Sequence, residues 1–432
     1  MRPVNYLIVA FLALLPIISQ AQNIDSIAAI SFPEPVSALE ISGDYAYVGG
    51  TNNLYVVNIA NPANPSIIGN CPVAAGGGIS IDGNYLISTS GESRVSIIDI
   101  SNLNSPSEVG YFYIHTIHGR LLIIDDIWLR WPNIFAAATS GYPMSMWGLL
   151  SVWNIENVSQ PESLSTINLP GGARSIFIAD NYAYVTNWGD GIYFIGHADI
   201  YDISSPSNPT EVGEFSTYYN TPNGIYVNGN YAFVASDSLI FADVSDRSHP
   251  VVFYEFALWG LGGDIFELGD YLYVNTYHVY SSDTIGIQII NIADLSSPQL
   301  EAERQNNTRL QHIMVRGDEI FATADSSLIV FYYPSTGIDD YKNPIAEFSL
   351  DGNYPNPFNG STAISYSISE KMPIKFSIFD IVGQCVATID DGMQNPGRHK
   401  IIWDASSIPS GIYFARLNNG HQSQSIKMVL LK

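Results

Sequence analysis

Three ionisable side chains fall at or beside the same step of a repeated pattern: Arg174, Asp264 and His312. A guanidinium, a carboxylate and an imidazole at one mouth could hold an anion or a metal, or supply a general base. The plainer reading is that they are solvated polar groups lining a water-filled channel. A second group is aromatic. Trp147, Trp188, Trp259, Tyr218, Tyr277 and Tyr280 lie in or beside variable connections, with Tyr219 beside them and Trp128 and Trp131 expected nearby. Rings among few charges suit stacking on sugar faces or burying apolar peptide side chains. Packing of long loops against one another would use the same rings.

Other patterns carry less. His115 and His118, near Arg120, resemble a zinc pair only loosely, and no third ligand is spaced to complete it. The adjacent carboxylates Asp125–Asp126, Asp339–Asp340 and Asp390–Asp391 read as turn residues, because strand neighbours point to opposite faces and glycosidase pairs come from separate segments. There is no calcium loop, nucleophile elbow, zinc-protease helix or phosphate loop. Gly76–Gly77–Gly78 reads as a connection between repeats, since no helix follows it. No cofactor and no metal are expected.

The elements that must position these residues are repeats. LYVVNIANPANPSIIG, from Leu54, returns with the same spacing along the chain. An Asp or Asn ends each apolar run and a proline stands seven positions later, as in Asn58/Pro65, Asp99/Pro106, Asn154/Pro161, Asp202/Pro209, Asp243/Pro250 and Asn291/Pro298. This predicts strand, polar turn, strand, with the Asp or Asn side chain bonding to nearby backbone amides. A second phrase, GDYAYV at Gly43 and its copies, marks seven units spaced 40 to 49 residues apart. Each unit offers four alternating, β-branched and aromatic strands. Four-stranded units at this period predict a β-propeller. The seventh unit ends at Pro334 without a fourth strand, and a surplus strand, DSIAAISF, precedes the first. Residues 22–35 are therefore expected to close the last blade. The Asp/Asn–Pro connections have constant length, whereas those on the opposite face vary widely, so function is expected on the variable face.

Composition narrows the partners. The chain of 432 residues has a formal charge of −24 and only 17 Lys and Arg, which excludes a phosphate-neutralising stripe for nucleic acid and disfavours anionic membranes. Two cysteines, Cys71 and Cys385, exclude a disulfide framework. Arg2, the apolar run Tyr6–Ile18 and small residues at Ser19–Gln20–Ala21 read as a secretory signal peptide over 1–21. No other run is long enough for a transmembrane anchor.

On the repeated phrases, residues 36–334 resemble the LVIVD-repeat family of bacterial extracellular propellers, which implies the fold and an exported location. A polar linker, 335–345, follows. A different grammar then begins at Asn353: NYPNPFNGST, Phe379–Asp380 with Gly383, Trp403–Asp404, Pro409–Ser410–Gly411–Ile412–Tyr413 and Lys427–Met428–Val429. Residues 346–432 resemble the C-terminal sorting domains of the type IX secretion system, with Gly360 where such domains often have proline. That resemblance implies an immunoglobulin-like sandwich, an interaction with the secretion machinery, and release or attachment at the outer surface of a Gram-negative-type bacterium. The expected protein is all-β, a seven-bladed β-propeller followed by an immunoglobulin-like β-sandwich. Its expected role is to bind a glycan or protein ligand through the variable loops. The alternatives are a secreted hydrolase or lyase working at the channel mouth, and a structural surface or matrix component.

Overall fold

A computed structural model describes residues 24–90, 93–115, 122–140, 147–188, 195–217, 222–277, 285–306, 308–334, 348–354, 358–368, 372–394, 397–420 and 423–430. The chain divides into two compact units, Met1–Gly337 and Ile338–Lys432. The signal-peptide reading, the linker, Tyr218, Tyr219, Tyr280, His118, Arg120, Asp339 and Asp340 lie outside the described residues.

Among the described residues the first unit contains seven antiparallel four-stranded sheets. Their innermost strands are Val36–Ser42, Gly78–Asp82, Leu122–Arg130, Ala173–Ala179, Gly224–Asn228, Leu261–Leu268 and Ile313–Arg316, numbered here as sheets one to seven. Sheets one to six are each built from consecutive strands. Sheet seven takes its outer strand from the start of the chain, with Asp25–Ser31 paired to Ser327–Tyr332 from Asp25↔Tyr332 to Ser31↔Ser327. Neighbouring innermost strands touch in sequence, and sheet seven touches sheet one, so the contacts form a cycle. This repeated four-stranded arrangement is consistent with a β-propeller. Its apolar core lies between the sheets. At the seam, Phe32, Val36, Leu39, Val48 and Val57 pack against Phe321, Leu328 and Val330.

Local chemistry fixes the turns. Gly43, Gly83, Gly229, Gly269 and Gly317 end their first strands at φ of 57 to 61°, and Asp180 does the same in sheet four at 52°. Glycine enters this region without Cβ strain, and Asp tolerates it best among charged residues. All six repeated Asp/Asn side chains accept a hydrogen bond from the amide two residues on: Ala60 to Asn58 at 2.9 Å, Ser101 to Asp99 at 2.8 Å, Glu156 to Asn154 at 3.0 Å, Ser204 to Asp202 at 2.8 Å, Ser245 to Asp243 at 2.8 Å and Ala293 to Asn291 at 3.0 Å.

The constant length of these loops has a packing cause. In sheets two to five the residue four positions after the Asp or Asn presents its carbonyl to the outer strand of the preceding sheet. A methyl group built on Gly69, Gly110 or Gly213 would overlap the carbonyl oxygen of Leu103, Val158 or Arg247 respectively. Where the glycine is replaced by Ser165, its hydroxyl donates to the Pro206 carbonyl at 3.0 Å. One inserted residue would move that carbonyl and break the lock between sheets.

Sheet four buries a carboxyl group. Asp199 is 3 % exposed and accepts from the Asn187 amide nitrogen at 2.7 Å. Burial, and then Glu211 and Glu214, push its pKa up to about 7. A folded pKa above the unfolded one makes this group stabilising below pH 4, with the contribution lost as pH rises towards 7. Asp199→Asn is therefore expected to raise the melting temperature at pH 8 by several degrees and to change it little at pH 4. The gap between the two pKa values caps the gain at about 4 kcal/mol. Equal shifts at both pH values in differential scanning calorimetry would contradict this assignment.

In the second unit, a three-stranded sheet (Phe348–Tyr354, Ser361–Ile368, Gly397–Asp404) and a four-stranded one (Cys385–Gln394, Met372–Asp380, Gly411–Asn418, Ser423–Leu430) share one core. Trp403 lies at its centre against Phe358 and Tyr413, and the Tyr413 hydroxyl donates to the Pro409 carbonyl at 2.8 Å. Gly360 has φ of 85°, which a proline ring cannot adopt, so glycine here suits a different first turn. Asp390 and Asp391 lie within a strand, paired with Phe376 and Lys375, and so are not turn residues.

Candidate functional site

The innermost strands of sheets one to seven line a cavity of about 410 Å³. Arg174, Asp264 and His312 all line it, but they do not form a trio. His312 and Asp264 pair with each other, Nδ1 to Oδ2, at 2.8 Å, and the same oxygen accepts from the Ile313 amide at 3.1 Å. Arg174 pairs with Asp125 at 3.3 Å. Burial works against a charged His312, but Asp264 beside it, then Asp126 and Glu40, raise its pKa above the usual value. Its side chain is 36 % exposed because water can reach it through the channel, so this desolvation is incomplete. The pair is an oriented base or a cation at mildly acidic pH.

Two carboxylates that sequence reasoning set aside belong here. Asp125 and Asp126 stand in a strand, not a turn, and both line the cavity. A β-bulge between Ile124 and Asp126 breaks the alternation that would have sent one of them to the opposite face. Asp126 accepts from the Ser175 hydroxyl and the Ile176 amide, both at 2.9 Å, and from its neighbouring Ile127 amide at 2.8 Å. Burial nevertheless lifts its pKa to about 6. Burial also raises Asp125, with Thr139 and Arg174 working against it. Glu40, on sheet one, is pushed up to about 7 by burial, with the Ile41 amide opposing and Asp126 adding to the rise. Its alternation in ALEISG was visible, but not that this face lines a channel.

These side chains also staple the ring. Ser80 accepts from the Leu129 amide at 2.9 Å, Asp126 from Ile176, and Asp264 from Ile313, each linking one innermost strand to the next. Asp264 thus joins two strands as well as orienting His312.

The aromatic candidates are dispersed around the rim. Trp147 is 55 % exposed at the start of the third strand of sheet three. Trp188 follows the second strand of sheet four. Its ring lies 5.0 Å from the Arg174 guanidinium, and its buried indole N–H has no hydrogen-bond partner among the described residues. Trp259, between sheets five and six, is half-buried, and its amide donates to Gln288 Oε1 at 3.0 Å. Tyr277 has Arg309 over its ring at 4.0 Å. The pairing of rings with arginines was not legible in the sequence, because it depends on how separate loops meet.

Trp128 lies in the channel wall, 4.8 Å from Phe177. Trp131 is not near the variable loops. It occupies the turn at the other end of its strand, stacked on Tyr85 at 4.6 Å, with its amide bonded to Asp82 at 2.8 Å. His115 stacks on Tyr113 at 5.7 Å. Among the described residues no three His, Cys, Asp or Glu side chains converge to hold a metal ion, and no helix is long and apolar enough to cross a membrane.

Family models match two parts of the chain: LVIVD repeats at 35–73, 76–114, 170–217 and 222–257, and a secretion system C-terminal sorting domain at 353–431. No curated protein matches. Among solved structures, a functionally unknown protein from Desulfotomaculum acetoxidans is similar at 13 % identity and a TM-score of 0.52, over 83 % of this chain and 99 % of its own. The computationally designed Ika8 protein is similar at 9 % identity and 0.50, over 72 % and 100 %. BamB from Moraxella catarrhalis aligns at 12 % and 0.45, over 72 % and 98 %. The first two likenesses concern the fold alone. The LVIVD matches fall in sheets one, two, four and five, so Asp125, Asp264 and His312 belong to the units outside those matches. A sorting domain of this kind indicates secretion or attachment at the outer surface. The chain carries four LVIVD repeats in its first unit and a secretion system C-terminal sorting domain in its second.

Proposed function

We propose that this is a seven-bladed β-propeller, exported by an immunoglobulin-like sorting domain, that binds a glycan or protein ligand through the variable-loop face around its channel. The observation that carries this reading is the Trp188 ring 5.0 Å from the guanidinium of Arg174, which itself lines the open cavity. A flat ring beside a guanidinium recognises sugar faces or a peptide's planar groups. The opposite face is occupied by Asx turns and loops locked against neighbouring sheets, which leaves little there to vary.

A glycan and peptide array probed with the full chain is expected to give saturable binding, weakened by about tenfold or more in Trp188→Ala, as for an aromatic anchor in an interface. Hits that bind the variant equally well would overturn the assignment. A hydrolase or lyase is the second reading, favoured by the oriented His312–Asp264 pair. Turnover of a polysaccharide or ester panel, lost in His312→Gln, would replace binding with catalysis.

A further inference from the structure

The channel wall carries two features beyond the rim and the His312–Asp264 pair. One is an arc of rings, Trp128, Phe177, Tyr226 and Phe266, contributed by the innermost strands of four successive sheets. Neighbouring centroids are 4.8, 4.8 and 5.8 Å apart with tilted planes. All four line the cavity and all are only partly buried, so ring surface remains open to it.

The other feature is a pair of carboxylates. Glu40 and Asp126 line the same cavity from sheets one and three and interact electrostatically. Among the described residues neither makes an ion pair. Deep carboxylates that feel a cation, His312, only from beyond ion-pair contact are costly. A metal ion has no alkyl surface to bury against the aromatic wall and holds its hydration shell tightly. An alkylated ammonium gains from both, because its charge is attracted to carboxylates and to ring faces while its methylene or methyl groups are buried. The volume of about 410 Å³ lies within the range of small-molecule sites.

We propose that the channel binds a small organic ammonium ion, its charged head held by Glu40 and Asp126 and its alkyl groups against Trp128, Phe177, Tyr226 and Phe266. Phe177 lies three positions beyond Arg174 along its strand, and Phe266 two beyond Asp264. The site shares the cavity with the loop-face reading but none of the residues substituted to test it, so failure of one reading is distinguishable from failure of the other.

Titration calorimetry on the full chain tests it with choline, n-butylammonium and 3,3-dimethylbutan-1-ol, the uncharged isostere of choline. At least one ammonium is expected to bind saturably, with the isostere weaker by about tenfold or more. Glu40→Gln keeps the shape and an acceptor for the Ile41 amide, and it is expected to weaken ammonium binding by about tenfold with no loss of melting temperature, since burial disfavours the charged carboxylate it replaces. Phe177→Leu is expected to weaken it less, and Tyr226→Leu replaces that variant should it fail to fold. A trimethyllysine peptide separates two sources: binding of choline alone indicates a free metabolite, and binding of both indicates an ammonium displayed on a polymer. Equal binding of the isostere, undiminished binding in Glu40→Gln, or no saturable heat from either ammonium up to about 20 mM would overturn the proposal.

Discussion

Deleting Asp25–Ser31 is expected to lower the melting temperature of the first unit by roughly 10 °C or more, well beyond the few degrees of an ordinary surface change. The segment is the outer strand of sheet seven, paired along its length with Ser327–Tyr332. Its removal would leave that strand as an open edge. It would also unlink the segment's flanks: Phe32 donates its amide to the Ser326 carbonyl at 2.7 Å, Val36 to Asp325 at 2.7 Å, and Arg304 bonds to the Ile24 carbonyl. The core at the seam draws on Ile27, Ala28 and Ile30 as well as on sheets one and seven, so the loss would reach both neighbours. Calorimetry of the full chain checks this. An unchanged transition would mean that the cycle of sheets does not depend on its two ends being joined.

Gly110→Ala is expected to cost about 3 kcal/mol or more in denaturant unfolding, at or beyond the upper end for overpacking. The added methyl would meet the backbone carbonyl of Val158, which cannot step aside as a side chain could. The control is Gly83→Ala, where nothing lies near the new Cβ and only φ of 60° opposes it. That change should cost about 1–2 kcal/mol, the penalty of a left-handed L-residue. A Gly110→Ala variant no less stable than Gly83→Ala would remove the interlock as the reason for the constant loop length.

The scaffold was readable because its signals repeat. Six Asp/Asn–Pro spacings and seven strand phrases point to one unit, and the same Asx turn recurs wherever the spacing does. The glycines of SIIG, SEVG and TEVG were visible too, but their purpose was not, since the carbonyl they accommodate belongs to the next sheet. The site was less readable for the converse reason. Asp125 and Asp126 reach one cavity only through a bulge, Arg174 turns to Asp125 and Trp188 instead of His312, and Trp131 sits at the wrong end of its strand for the rim. Each depends on a local irregularity or a contact between units, which periodicity cannot encode.

The central claim is that ligand recognition belongs to the unrepeated rim and not to the repeated turns. Two tryptophans at opposite ends of the sheets separate these directly. The measurement is the dissociation constant of the best array ligand for the full chain, for Trp188→Ala and for Trp131→Ala, each verified as folded by its melting curve. Loss of about tenfold or more in Trp188→Ala with no change in Trp131→Ala is the predicted result. Loss in Trp131→Ala with Trp188→Ala unaffected would place recognition on the repeated face and contradict the account.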